Sequence, residues 1–317
     1  MLRALALSAA LLSACAAEPI NAAEPEPVSI FHKENGWNLV WSDEFHGSEI
    51  DTSKWTHEID CWGGGNEERQ CYTDEPDNSF VENDFLYINA LIDPTTGYAL
   101  TEKLRVTEED KVATTRKPFS SARLNTKGKA DWTYGRFDVR AKMPTGQGMW
   151  PAIWMLPTEE HYGGWAASGE IDIVEAVNQG TKCKKCEDGV ENRIYGTIHY
   201  GREWPHNKYK GEETVLMPTP DGFHVYAVEW EDGEIRWFVD GRHYSTLTSK
   251  DWTTKSLFGG KKNNSAPFDR PFHIIMNVAV GGHLAEDKNE GGVDLKNFPK
   301  SMIVDWVRVY QQDDSAK

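Results

Sequence analysis

The segment GEIDIVEA, residues 169–176, has the length of one strand and carries three carboxylates among aliphatic residues. Its two isoleucines alternate with Glu170 and Asp172, so a strand here would have one apolar face and one acidic face. Burying carboxylates costs free energy, and a chain that places three of them along one strand usually uses them chemically. The segment therefore predicts a β-structure in which this strand carries the functional site.

The position of the third acid requires an irregularity in that strand. Residues two apart share a face, whereas Glu175, five positions after Glu170, has the opposite parity. One extra residue absorbed as a β-bulge around Ile173 and Val174 would restore the parity, and bulges are common beside active sites. The glutamate Cα atoms would then lie roughly 13 Å apart. Side chains leaning inward would bring the two carboxyls to about 5–5.5 Å, the separation of a retaining glycosidase pair.

Asp172, between the two glutamates, would share a hydrogen bond or a proton with a neighbour. It would thereby help to hold unlike ionisation states on Glu170 and Glu175. On spacing alone, an edge strand with a solvated acidic face explains the pattern equally well. The choice between these readings depends on the surrounding sequence.

The segments around the acidic strand form an ordered series that covers about residues 36–311. They are WSDEF at 41–45, YGRF at 134–137, GMWPAIWMLP at 148–157, GTIH at 196–199, FHVY at 223–226, NVAVGG at 277–282 and VDWVRVY at 304–310. Together with EIDIVE at 170–175, this series resembles glycoside hydrolase family 16 in its laminarinase-like form, which has the bulged E-x-D-x-x-E motif.

Periodicity independently predicts an all-β chain. Short alternating runs are separated by turn residues, and we find no internal repeat, no long amphipathic helix and no linker that divides the body. Two antiparallel sheets would suit this layout. The resemblance implies the same, as a concanavalin-like β-jelly roll sandwich with an open substrate cleft. We interpret residues 98–118, 177–194 and 254–268 as surface loops that set specificity.

The resemblance also assigns the chemistry. It implies a retaining endo-glycosidase in which Glu170 is the nucleophile, Glu175 the general acid and base, and Asp172 an assisting residue. The implied substrate is a laminarin-like β-1,3-glucan, with or without mixed 1,3-1,4 linkages. Alternatives are an agarase or another marine galactan hydrolase, a transglycosylase, and a non-catalytic glucan-binding protein. Such binding proteins typically lose one of the acids, and all three are present here.

Other candidate substrate-binding residues are aromatic or polar. Each of them has a structural alternative, namely packing in the core. A segment around Asn66 and Glu68 resembles the laminarinase G-W-G-N-x-E-x-Q-x-Y-T motif, but Gly64 replaces its tryptophan and Trp62 lies two residues earlier. The full set of candidates is Trp150, Trp165, Asn66, Glu68, His199 and Asn277.

Composition limits the classes of partner. The 317 residues are enough for one large all-β domain. The formal net charge of −16 argues against nucleic acid and polyanionic polymers as partners. Tryptophan is abundant, at 13 residues, and serves both for packing and as a platform for sugar rings. We expect a monomer whose partner is a neutral polysaccharide.

The N-terminus predicts export. Arg3 precedes a short apolar run, and LSAC at 12–15 resembles a bacterial lipobox in which Cys15 is lipidated. Residues 1–15 would be the signal peptide, 16–28 a flexible tether, and 29–312 a single catalytic domain. Nothing acidic follows Cys15 directly, which resembles the sorting of lipoproteins to the outer membrane. A lipid anchor on Cys15 would then be the only membrane contact. Ordinary cleavage near ACA at 14–16 would instead give a periplasmic or secreted protein.

Export leaves four cysteines in an oxidising compartment. We prefer the pairs Cys61–Cys71 and Cys183–Cys186, although the second pair also fits a redox motif or half of a zinc site. Catalysis needs no cofactor. The resemblance suggests a structural calcium ion, bound by a backbone oxygen at Glu44 and by the side chain of Asp305.

Overall fold

The computed structural model describes residues 36–217, 222–254, 265–296 and 298–312. The predicted signal peptide, the lipidation at Cys15 and the tether at 16–28 lie outside the described residues, as do positions 255–264 of the third predicted loop. Within the described part of the chain, no helix combines the length and apolar character needed to cross a membrane.

Strands dominate the described residues. They are β1 (Trp37–Asp43), β2 (Thr56–His57), β3 (Gln70–Tyr72), β4 (Ser79–Glu82), β5 (Phe85–Ala90), β6 (Thr95–Tyr98), β7 (Thr114–Lys117), β8 (Phe119–Ser121), β9 (Arg123–Asn125), β10 (Gly135–Lys142), β11 (Met149–Pro157), β12 (Glu170–Ala176), β13 (Arg193–Tyr200), β14 (Lys208–Val215), β15 (His224–Glu231), β16 (Glu234–Val239), β17 (Arg242–Thr248), β18 (Phe272–Val280) and β19 (Lys300–Gln312). Two short α-helices, α1 (Glu108–Val112) and α2 (His283–Glu286), and 3₁₀ turns at Gly63–Gly65 and Glu102–Leu104 complete the elements.

The strands form two large antiparallel sheets. The support sheet has the order β17-β16-β15-β10-β19-β5-β4, with β1 also paired to the long β19. The site sheet has the order β14-β13-β12-β11-β18-β9-β2, which places the acidic strand β12 well inside it. Two small ribbons, β3-β8 and β6-β7, lie outside the large sheets. The predicted all-β sandwich of two antiparallel sheets is confirmed.

Alternating burial explains how the sheets pack. Along β13, every second residue is buried, so one face joins the core while the other faces outward. The core between the sheets contains β-branched and aromatic side chains from both, among them Ile171, Val228, Trp237 and Ile274. Such residues suit a pleated, half-buried surface, and fully burying one aliphatic side chain contributes about 1.5–3 kcal/mol.

One predicted loop proves to be ordered structure. Residues 98–118 contain the end of β6, a 3₁₀ turn, α1 and β7, with β6 and β7 paired as a hairpin. Thr107 and Asp110 form a reciprocal capping box that starts α1, which is why so short a helix forms there. The interpretation of this segment as a loop was therefore wrong.

Both preferred disulfides are present. Cys61 is bonded to Cys71, and Cys183 to Cys186. The first bridge closes the loop that carries Asn66. A backbone hydrogen bond, from the Cys61 amide to the Tyr98 carbonyl at 2.7 Å, holds this loop beside the β6-β7 hairpin.

We expect the Cys61–Cys71 bridge to contribute more stability than the Cys183–Cys186 bridge. It spans 10 residues rather than 3, so it removes more conformational freedom from the unfolded chain, and replacing both cysteines by alanine should cost about 2–3 kcal/mol. Denaturant unfolding of the Cys61→Ala/Cys71→Ala and Cys183→Ala/Cys186→Ala variants measures both losses. An equal or larger loss for the second pair would contradict this account.

Candidate active site

The three acids share one face of β12 because the strand contains an extra residue. Asp172 is opposite Thr197 on β13, but Glu175 is opposite Tyr195, so three steps on β12 match two on β13. The pairing of β12 with β11 shifts at the same point, leaving Ile173 as the additional residue. The predicted bulge is confirmed. The face of the site sheet that carries the acids is called the site face below.

The bulge is fixed from the core side by Trp237. The indole Nε1 of Trp237 donates a hydrogen bond of 2.8 Å to the backbone carbonyl of Asp172. Gly196 on β13 makes room for this indole, because a Cβ at that position would lie 2.4 Å from Trp237 Cδ1. The backbone at the acids is therefore held by a buried aromatic side chain and by an obligatory glycine.

His199 lies between two of the carboxylates. Its Nε2 is 3.7 Å from Glu170 Oε1 and 3.4 Å from Asp172 Oδ2. Burial alone would lower the pKa of His199, but the negative charges of Glu170 and Asp172 raise it to about 10. The two acids therefore favour the protonated imidazole, whose positive charge would partly neutralise the acidic cluster. The indole Nε1 of Trp165 donates to the Glu170 carboxylate from the other side.

Glu175 and Asp172 are both shifted toward the protonated form. Burial raises the pKa of Asp172 well above its usual value, and the charges of Glu170 and Glu175 raise it further. Burial likewise raises the pKa of Glu175, although His199 and a hydrogen bond from Trp150 oppose the shift. Trp150 Nε1 donates to Glu175 Oε1 at 3.0 Å. The site thus supplies two carboxyl groups, Asp172 and Glu175, that keep a proton to higher pH, on the same strand as the Glu170 carboxyl that contacts His199 and Trp165.

Tyr195 and Lys288 lie on the Glu175 side of the strand, and sequence reasoning missed both. The Lys288 ammonium is 4.6 Å from the centre of the Tyr195 ring and 3.4 Å from its hydroxyl. Burial lowers the pKa of Lys288, and the positive charge slightly opposes the raised pKa of Glu175. The sequence signal for Lys288 was weak, because this residue lies six positions beyond the end of the motif NVAVGG and belongs to no motif itself.

A second cluster of polar groups lies on the β18 side of the site face. Glu68 is buried and accepts hydrogen bonds from Asn66 at 3.1 Å and from Gln70 at 2.7 Å. The Tyr72 hydroxyl lies 3.4 Å from the same carboxylate and accepts from Asn277 at 3.0 Å. The structure thus brings the predicted residues Asn66, Glu68 and Asn277 together, in what we call the polar network.

Two further residues complete the polar network. Trp154 Nε1 donates to Asn277 Oδ1 at 2.7 Å. The Arg123 guanidinium lies 4.4 Å from the centre of the Tyr72 ring and 5.4 Å from that of Trp154. One sequence signal was usable for Trp154, which has the same strand parity as Trp150. Arg123 is held by contacts that are distant in sequence.

The polar network is joined to the acids through the floor of the site sheet. Asn277 is opposite Ala152, and Ala152 is opposite Glu175, so these side chains share the site face. The Asn66 carbonyl accepts from the His283 amide at 3.0 Å. A Cβ at Gly282 would lie 3.1 Å from that carbonyl and 3.3 Å from the Trp150 ring. A glycine there lets the Asn66 loop approach Trp150.

The acidic cluster has the donor atoms of a metal site. One side-chain oxygen or nitrogen atom from each of Glu170, Asp172 and His199 lies within 4.8 Å of the others. The same two acids raise the pKa of the imidazole, which disfavours the neutral form that binds a metal, and we assign these residues no metal.

The side chains of both residues expected at the calcium site form ion pairs. The Glu44 carboxylate accepts from Arg308 at 3.0 and 2.8 Å, and Asp305 forms an ion pair with Arg140. Calcium takes six to eight oxygen ligands, usually including unpaired carboxylates. The expected ligand near Glu44 is a backbone oxygen, and the ion pair of the Asp305 carboxylate with Arg140 disfavours a cation beside that carboxylate, so we derive no role for calcium.

Comparisons with known proteins agree with this geometry. A family model described as "Beta-porphyranase A-D, GH16 domain" matches residues 37–312. Glucan endo-1,3-beta-glucosidase A1 of Niallia circulans is 39% identical over 291 residues, which are 87% of this chain and 38% of that protein. This chain therefore spans well under half the length of that relative.

Two further similarities concern one organism. A beta-glucanase of Rhodothermus marinus is 39% identical over 283 residues, covering 87% of this chain and 85% of that protein. The crystal structure of the laminarinase from Rhodothermus marinus matches with a TM-score of 0.69 and 37% identity, over 88% of this chain and 98% of that one. With the family model extending over nearly all of the sandwich, the chain belongs to glycoside hydrolase family 16.

Proposed function

We propose that the protein is a retaining endo-glycosidase that hydrolyses β-1,3-glucan through a covalent glycosyl-enzyme. The observation that carries this proposal is the unlike surroundings of Glu170 and Glu175 on one face of a bulged strand. Each glutamate accepts one indole N–H, but Glu170 also lies 3.7 Å from the His199 imidazole, whereas burial raises the pKa of Glu175. Unequal carboxyl groups on either side of a glycosidic bond are the requirement of this chemistry.

The first step forms the covalent intermediate. Glu175 gives its proton to the glycosidic oxygen while a Glu170 oxygen attacks the anomeric carbon, and the bond to the leaving sugar breaks. His199 and Trp165 hold the Glu170 carboxylate in place. Asp172 is within reach of His199 and supports its charged form.

The second step releases the product. Glu175, now a carboxylate, takes a proton from water as the water oxygen attacks the anomeric carbon, and the bond to Glu170 breaks. Transfer to another sugar hydroxyl instead of water would give transglycosylation from the same intermediate. The protein residues and their roles are the same in both cases.

A neutral glucan is favoured over a sulfated galactan by the state of the site-face arginines. Arg193 donates to Glu191 at 2.7 Å, and Arg123 lies 3.4 Å from Glu58 and against aromatic rings. Sulfate recognition uses guanidinium groups that are free to bind an oxyanion. The two relatives described above are named for glucan hydrolysis, which supports the same choice.

A galactan is the second candidate substrate, because the matching family model is named for β-porphyranases. The acidic motif and the mechanism are unaffected by this choice. Agarose and porphyran therefore belong in the same assay as laminarin and lichenan.

We also propose that the protein is exported and that a lipid on Cys15 anchors it in the outer membrane. The two disulfides support export, since such bonds persist in oxidising compartments. Labelling of the protein with a radioactive fatty acid, in parent and Cys15→Ala cells, distinguishes a lipoprotein from a protein cleaved by ordinary signal peptidase.

Replacing either glutamate should abolish most turnover without loss of folding. Glu170→Gln removes the nucleophile, and Glu175→Gln removes a proton transfer that contributes on the order of 10²–10⁴-fold. Reducing-sugar release from laminarin, lichenan, agarose and porphyran measures the effect, with far-UV circular dichroism as the folding check. A Glu170→Gln variant as active as the parent would overturn the proposed nucleophile, and cleavage of agarose or porphyran alone would overturn the substrate.

Trp150→Phe should move the alkaline limb of the pH profile to higher pH. Glu175 must be protonated in the first step, so kcat/KM falls as pH rises through its pKa. The Trp150 N–H stabilises the Glu175 carboxylate and lowers that pKa, so its removal raises the pKa and extends activity upward. Trp154→Phe is the matched control, because that indole donates to Asn277 instead. A limb that stays in place, or moves equally in both variants, would contradict the assignment of Glu175.

A further inference from the structure

Two large aromatic side chains on the β14 side of the site sheet are exposed. Trp204 and Tyr209 each keep 74% of their surface accessible to solvent. Exposed aromatic groups contribute little to the core, and apolar surface beside a functional site can mark a binding site. Neither residue was among the sequence-based candidates.

Trp204 is nevertheless held in place. Its backbone amide donates to the Trp165 carbonyl at 2.9 Å. The neighbouring Glu203 carboxylate accepts from the Gly164 amide at 2.8 Å. Gly163 has a φ of +117°, a backbone conformation that L side chains rarely adopt, so the loop requires glycine at that point. The loop with Trp204 is thus fastened to the loop with Trp165.

Tyr209 continues a row of rings that begins at the proposed nucleophile. Trp165 donates to Glu170, and its ring centre lies 5.5 Å from that of His199. His199 is opposite Tyr209 across β13 and β14, with ring centres 5.9 Å apart. Trp165 is itself 38% exposed. We call Trp165, Trp204 and Tyr209 the aromatic shelf.

The aromatic shelf and the polar network lie on opposite sides of β12. The shelf follows β13 and β14, whereas the network follows β11, β18 and the Asn66 loop. A polysaccharide placed across the site sheet at Glu170 and Glu175 would therefore meet hydrogen-bonding groups on one side and flat apolar rings on the other. A pyranose ring has an apolar C–H face that stacks on such rings while its hydroxyls remain in water.

We propose that Trp204 and Tyr209 form a sugar-binding subsite that stacks an unsubstituted pyranose unit of the substrate, outside the unit that reacts with Glu170. This inference rests on the proposed function and deepens it. The subsite contributes affinity for longer chains and leaves the chemical step unchanged.

Binding to a series of β-1,3-linked glucose oligosaccharides, from two to six units long, tests this subsite. Isothermal titration calorimetry in the Glu170→Gln background gives the affinities without turnover. Trp204→Ala and Tyr209→Ala should each weaken binding of the longest oligosaccharide by about five- to tenfold, as expected for one lost stacking contact. Binding of the shortest oligosaccharide should be unchanged, and Trp204→Phe should recover part of the loss.

Kinetics in the active protein give the second readout. Trp204→Ala should raise KM for laminarin by a similar factor while kcat stays near the parent value. Tyr87→Ala is the matched control, because this aromatic residue lies on β5 of the support sheet, stacked on Phe80. The Tyr87→Ala variant should change neither the affinities for the oligosaccharide series nor KM for laminarin.

The outcomes separate the subsite from the proposed function. If the parent cleaves laminarin and Trp204→Ala keeps the full length dependence of binding, the subsite is overturned and the function stands. If the parent cleaves no glucan but loses its binding of long oligosaccharides on Trp204→Ala, the function is overturned and the subsite stands. A parent protein that binds none of the oligosaccharides overturns both the subsite and the proposed function.

Discussion

The extra residue at Ile173 is the constraint on which the site depends. In a regular strand, Glu175 would point into the core between the sheets, among residues such as Val228 and Trp237. A buried carboxylate without a partner there would cost several kcal/mol. The bulge turns Glu175 to the same face as Glu170, and the hydrogen bond from Trp237 to the Asp172 carbonyl holds the backbone at the turn. Core packing and site geometry are thus set by the same few atoms.

The charges at the site form one coupled system. Three carboxyl groups on one strand repel one another, and burial adds to the cost of ionising them. His199 offsets part of this cost as a cation, and the Trp150 and Trp165 indoles each donate to one glutamate. Burial raises the pKa of Glu175, whereas Glu170 contacts His199, so the two glutamates differ in their surroundings although they are the same residue type. That difference is the basis of the acid and nucleophile roles.

Sequence reasoning succeeded where a property is local. Parity of the acids predicted the bulge, and cysteine spacing predicted both bridges. It failed where contacts join distant segments, as with Arg123 between Tyr72 and Trp154. Trp204 was missed because its position depends on hydrogen bonds between its own loop and the loop that carries Trp165. The short helix α1 was missed because its capping box was read as loop composition.

The stereochemistry of the first product tests the central claim most directly. Proton NMR of newly formed reducing ends, recorded before mutarotation, shows which anomer is released from laminarin. If Glu170 attacks the anomeric carbon and Glu175 serves as acid and then base, two inversions occur and the β-anomer is released first. Initial release of the α-anomer would mean a single displacement by water, and would contradict the roles assigned to the two glutamates.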